Sequence, residues 1–134
     1  MKTIARRFAL LLLAVALSAC SGNTGAPRGT PVDRNLITIE QIRQHQFSNA
    51  YEAVQSLRSN WLITKGVDSF ASPGQVLVYL DNNKMGGVET LRGIATVSVA
   101  YIRYYDGLTA SGRWGLDHGH GVIFVSSHAD PGRK

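Results

Sequence analysis

Val76-Leu77-Val78-Tyr79-Leu80-Asp81-Asn82-Asn83-Lys84 decides the fold class of this 134-residue chain. The first five residues are an unbroken β-branched and aromatic run, which suits a strand buried on both faces. The next four tolerate positive φ, so the strand is predicted to double back in a tight turn. Downstream, residues 97–105 and 121–126 carry the same apolar signature and are predicted as two further strands. Residues 106–115, which join them, suit a short helix ending near Gly112, and Val88, Leu91 and Ile94 suit a helical turn ended by Gly93. Upstream the signals are helical. Thr38-x-x-Gln41 matches a capping box. Asn49 and Glu52 open a second helix, in which Ala50, Tyr51, Val54, Leu57 and Trp61 recur at three- and four-residue spacing. The order predicts an α+β fold, a small mixed β-sheet with short helices packed on one face. Val78, Leu80, Ile102, Tyr104, Ile123 and Val125 are expected in its core, against Val54, Leu57 and Leu91.

The N-terminus reads as an export signal. A basic start (Lys2, Arg6, Arg7) leads into an apolar run from Phe8 to Leu17. That run is about half the ~20 residues of a membrane-spanning helix. Leu17-Ser18-Ala19-Cys20 follows and resembles the lipobox of bacterial lipoproteins. The resemblance implies cleavage before Cys20, the only cysteine, and a lipid anchor on its sulfur, with residues 1–19 as the signal peptide. Ser21 stands in place of the aspartate that retains lipoproteins in the inner membrane of enteric bacteria. The expected location is therefore the outer membrane, lipid-anchored, with the periplasmic face favoured. Residues 20–35 are rich in Gly, Pro, Thr and Asn and are expected to form a flexible tether. The folded domain is expected over residues 36–128, followed by a polar tail over 129–134 that frays.

Without the signal, Lys2, Arg6 and Arg7 drop out of the fourteen basic residues, leaving eleven against nine acidic ones, a net of +2. No basic run interleaved with aromatics remains, so nucleic acid is not an expected partner. With one cysteine, an intramolecular disulfide is excluded, and stability must come from packing.

Five segments carry a family resemblance: Val78-Tyr79-Leu80-Asp81, Leu91-Arg92-Gly93-Ile94, Ile102-Arg103-Tyr104-Tyr105, Trp114-Gly115 and Gly119-His120-Gly121-Val122-Ile123. In this order and at similar spacing they resemble the plug domain of TonB-dependent outer-membrane receptors. Ile39-Glu40-Gln41-Ile42 and Asn49-Ala50-Tyr51-Glu52-Ala53-Val54 resemble the helical opening of such a plug. The likeness spans roughly residues 36–126. Arg103 occupies the position of the family's usual glutamate, and Leu108 lies where a proline after glycine is common. The resemblance implies a plug-like domain that stands alone, tethered to a membrane and without the barrel.

Candidate chemistry is sparse. His118 and His120, at i and i+2, would share one face of an extended segment, with Asp117 able to add an oxygen. The competing reading is a glycine-rich turn with exposed imidazoles and no preformed metal site. Asp81-Asn82-Asn83 does not continue as a calcium loop, because Lys84, Met85 and Gly86 break the alternation of oxygen ligands. No nucleophile elbow and no phosphate loop are present, and no cofactor is expected. Tyr101, Arg103 and Tyr105 alternate on one side of a strand, a composition suited to an outward contact face or to cross-strand packing. The leading expectation is a non-enzymatic envelope module that binds a protein partner through its sheet edge or exposed face, an outer-membrane barrel being one such partner. The alternative is a small-ligand or metal-binding lipoprotein that uses the His118/His120 turn.

Overall fold

The capping box at Thr38 forms as its sequence requires. Gln41 N–H donates to Thr38 Oγ1, while Thr38 N–H donates to Gln41 Oε1 at 3.0 Å. It joins strand β1 (Leu36–Thr38) directly to helix α1 (Ile39–His45). Asn49 caps helix α2 (Ala50–Arg58) by accepting from Glu52 N–H, and Glu52 answers by accepting from Ser48 N–H. These are the reciprocal contacts that fix a helix start. The computed structural model describes residues 32–65 and 74–130, and the described residues from Asp33 onward belong to one compact unit. The expected signal peptide, residues 20–31 of the expected tether (Cys20 included) and residues 131–134 of the expected tail lie outside the described residues.

Strand β2 (Leu77–Leu80) turns back at Asp81-Asn82 into β3 (Asn83–Gly87), with Asp81 at φ 53°. After 3₁₀ turns at Val88–Gly93 and Thr96–Ser98 come β4 (Tyr101–Tyr105), helix α3 (Gly107–Trp114), a 3₁₀ turn at Leu116–His118, and β5 (Val122–Ser126). The five strands form one mixed sheet in the order β1-β4-β5-β2-β3. Only the β2–β5 pair is parallel. The α+β class is as expected. So is the core: Val78, Ile102, Ile123 and Val125 are fully buried with Val54 and Leu91, while Leu57, Leu80 and Tyr104 pack against them.

Four expectations need correction. The strand expected over residues 97–105 begins only at Tyr101. Before it, Ser98 Oγ donates to the Ala95 carbonyl, a local bond that competes with a ladder, and Thr96 Oγ1 donates to the distant Phe47 carbonyl, which ties the segment to the chain ahead of the second helix. Helices are not confined to one face. α1 and α2 cover the face of Ile102 and Val125, whereas Ala110 and Trp114 of α3 pack on Leu77, Tyr79, Val122 and Phe124 on the other. The folded unit starts before residue 36, because Leu36 N–H bonds Asp33 O and Tyr104 N–H bonds Asn35 O. At the far end Asp130, expected to fray, holds Arg103.

Both sheet edges are blunted. On β1, Leu36 N–H is taken by Asp33 O, and Thr38 N–H is taken by the capping box. β3 carries an exposed Lys84, a register irregularity opposite Val78 and Tyr79, and Gly86 at φ 125°. Edge lysines and bulges are the devices that discourage strand addition.

Candidate functional site: the half-covered face of the sheet

Helix α3 stands over only half of its face. Asp106 caps it by accepting from Thr109 N–H and Thr109 Oγ1. That backbone bond is the main reason the Asp106 carboxyl lies below the usual carboxylate range. At its far end Trp114 lies at the centre of an aromatic layer. Its ring stacks on Tyr79 at 5.1 Å, meets Tyr105 edge-on at 5.2 Å and approaches Phe124 at 6.3 Å. The Arg113 guanidinium lies over Trp114 at 4.8 Å and bonds the Tyr105 hydroxyl. Pairs of this geometry stabilise beyond their buried area.

The structure places the three candidate contact residues on this face as the alternation requires, but not as a free surface. Tyr105 lies beneath Arg113 and Trp114, and Tyr101 packs toward Phe124 at 6.3 Å. Arg103, between them, is half-buried and bonds two carboxylates: Nη2 to Asp130 at 3.1 Å and Nη1 to Asp33 at 3.5 Å. It therefore joins the segment before β1 to the segment after β5. The expectation of a simply outward Arg103 is corrected to a clamp.

The uncovered half of the face adjoins a groove of about 480 Å³, within the size range of ligand pockets. Leu36, Thr38 and Tyr101 contribute from the sheet, and Ile39, Glu40 and Arg43 from α1. Residues 97–100 and Ser127, Ala129 and Asp130 complete the lining. At its mouth Val97 is 93% exposed. Sequence reading missed this groove because two of its walls, residues 97–100 and 127–130, carry no periodic signal.

The histidine expectation is also corrected. His118 is 5% exposed, not on an exposed turn. Its Nδ1 lies 3.0 Å from Gly115 O, and since a carbonyl only accepts, Nδ1 carries the proton. In the neutral ring Nε2 then accepts from the Tyr79 hydroxyl at 2.8 Å. His120 turns elsewhere, its Nδ1 donating to Lys65 O and its ring lying where a Cβ on Gly74 would sit. A 3₁₀ turn that ends at His118, followed by a turn at Gly119-His120, destroys the shared face that an extended segment would give. Among the described residues no three metal-ligating side chains come together.

Asp81, Ser127 and His128 do meet at the end of β5. Ser127 Oγ and Asp81 Oδ1 both face His128 Nδ1, at 3.1 and 3.4 Å, and Ser127 Oγ also donates to Asp81 Oδ2. A relay needs the nucleophile and the carboxylate on opposite ring nitrogens, so this grouping is not one. It is a turn lock. Ser127 N–H above all, with the Ser127, His128 and Ser126 side chains, holds the Asp81 carboxyl below its usual range against a partial opposing effect of burial. A depressed carboxyl contributes stability that is full above its unfolded value of about 3.9 and lost as pH falls through the folded value. Asp81→Asn should therefore lower the thermal midpoint at pH 7 and close the gap to wild type as pH drops below about 4. A gap that stays constant over that window would show that the lock does not titrate with Asp81.

Comparison with family models, with curated proteins and with solved structures gives no match. Among the described residues no helix is long and apolar enough to cross a membrane.

Proposed function

We propose that the chain is a lipid-anchored envelope protein of the outer membrane, tethered at Cys20, whose plug-like domain is a non-enzymatic protein-interaction module. The observation that carries the reading is the uncovered half of the sheet face: an apolar and tyrosine-bearing surface beside a groove, with Val97 projecting at its mouth. Apolar surface beside a concavity with a polar rim matches the anatomy of a protein contact site. The blunted edges favour the face over edge pairing, which narrows the route by which a partner binds. The acidic and basic side chains around the rim, Glu40, Arg43 and Asp130, give the surface the polar margin of a reversible interface.

Two substitutions test anchoring and binding separately. Cys20→Ala should move the protein from the membrane to the soluble fraction or leave its precursor uncut, because stable attachment needs the acyl chains. Fractionation and migration identical to wild type would remove the lipoprotein reading. Val97→Glu should abolish recovery of one specific partner by cross-linking in solubilised envelope while leaving the thermal midpoint within about a degree or two, since exposed substitutions rarely alter stability. Unchanged recovery would place the contact elsewhere.

A further inference from the structure

Helix α3 turns Ala110 and Trp114 to the sheet and two leucines away from it. Leu108 precedes Ala110 by two residues, about 200° round the helix, and is 88% exposed. Leu116 follows the turn at Gly115 and is 92% exposed. Between them stands Gly112, with nothing within 4 Å of an added Cβ. A single exposed leucine is ordinary, but two on one short outer ridge are not. Arg113 and Trp114 flank the ridge, the guanidinium lying over the indole. Such side chains, apolar in body and polar at the tip, suit a boundary between water and hydrocarbon.

Three observations select what covers this ridge. The first is where the chain enters. Arg103 lies on the α3 side of the sheet, between Tyr101 and Tyr105, and holds the Asp33 carboxylate there. The segment from Cys20 therefore arrives on that side. Thirteen residues lead from Cys20 to Asp33, at most about 45 Å of chain, so an anchored domain stays beside its membrane. The second is size. α3 has eight residues and is about 12 Å long, too short a ridge for the roughly 800 Å² per partner that a stable dimer buries. The third is charge. Arg113 stands against exposed Asp106 and Asp117, so the ridge offers no positive patch to an anionic surface. A zwitterionic lipid surface fits all three.

We propose that α3 is the membrane-facing element of the anchored domain, with Leu108 and Leu116 seated in the headgroup layer of a zwitterionic phospholipid leaflet. The inference rests on the anchor at Cys20 and adds to it the side of the domain that the anchor presents to the membrane. Two leucines hold poorly by themselves, since even one myristoyl chain binds only marginally. The anchor supplies the rest by keeping the ridge at high effective concentration over the leaflet. The contact thus sets orientation rather than attachment. It also turns the adjoining groove toward the plane of the same membrane, where a partner embedded in that membrane would be met.

The test holds the purified protein on phosphatidylcholine vesicles by its own anchor or, should Cys20 prove unmodified, by coupling that sole cysteine to a maleimide lipid. Leu116→Trp should give an emission that shifts to the blue on vesicles and is quenched by chain-brominated lipid. Adding Leu108→Glu should abolish both effects. Ile63→Trp replaces a side chain that is 61% exposed beyond Trp61 and Leu62, in the opposite layer, and should show neither. The unsubstituted protein gives the background of Trp61 and Trp114. All three positions are exposed, so thermal midpoints should hold. No quenching at Leu116→Trp, equal quenching at Ile63→Trp, or quenching that requires phosphatidylglycerol would each overturn the proposal. So would a blue shift without quenching that grows with protein density, which would assign the ridge to a second copy of the chain. Wild type that fractionates as soluble fails the anchor, whereas absent quenching on coupled vesicles fails the ridge, so the two failures are read separately.

Discussion

Ile102→Ala should destabilise the domain by about 2–5 kcal/mol, a large part of the ~5–15 kcal/mol available to a domain of this size. Ile102 is completely buried at the centre of β4, opposite Ile37 on one neighbouring strand and Val125 on the other. All three belong to the cluster that α1, α2 and Trp61 close. Removing three carbons there leaves a cavity bounded by strands on both sides, which cannot collapse without shifting the sheet register. The loss should therefore lie toward the upper part of the range. Urea unfolding would read it as a lower midpoint at unchanged slope. A midpoint within experimental error of wild type would mean that β4 is not an interior strand of the sheet, between β1 and β5.

Ile102 was legible because its neighbours alternate around it in a strongly apolar segment, and the same holds for Val78, Ile123 and Val125. The two-sided burial of β2 was legible too, since Val76-Leu77-Val78-Tyr79-Leu80 leaves no polar face. That reading already required a second covering layer, yet α3 is eight residues with two glycines and a weak stripe, and nothing local says which face it takes. β1 was missed because three residues carry too little pattern, and it exists only through pairing with β4. β3 was missed because Lys84-Met85-Gly86-Gly87 has little β-propensity and follows β2 only because the turn delivers it there.

Side-chain sites were less legible than elements. The alternation placed Tyr101, Arg103 and Tyr105 on one face, but not their partners. Arg103 meets Asp33 across 70 residues and Asp130 across 27, separations that no local rule addresses. His118 and His120 were read with the period of two of an extended segment, but His118 ends a 3₁₀ turn and the chain turns again at Gly119-His120. What could have warned of this is Gly119 and Gly121 on either side of His120, since glycines so spaced mark a reversal of the chain rather than an extended run.

Gly121→Ala should be strongly disruptive, costing about 3 kcal/mol or more from strain and steric clash together. Gly121 sits at φ 98°, where L side chains are strained, and its added Cβ would lie 2.6 Å from the Tyr104 hydroxyl and 2.9 Å from the Tyr105 carbonyl oxygen. The segment cannot slide away. Gly121 N–H bonds His118 O, and Gly121 O accepts from Leu77 N–H, so both its polar groups are fixed to neighbouring structure. A shift at this residue would move the start of β5 against β2 and pull the His118 turn off Tyr79, coupling both faces of the sheet to one position. Gly112 supplies the control. It lies inside α3 with nothing within 4 Å of an added Cβ, so Gly112→Ala should stabilise by about 0.5–1 kcal/mol through helix propensity alone. Thermal melts of the two variants should move in opposite directions. If both rise, or if Gly121→Ala melts with wild type, the connection from the His118 turn into β5 does not take the left-handed path on which the aromatic layer depends.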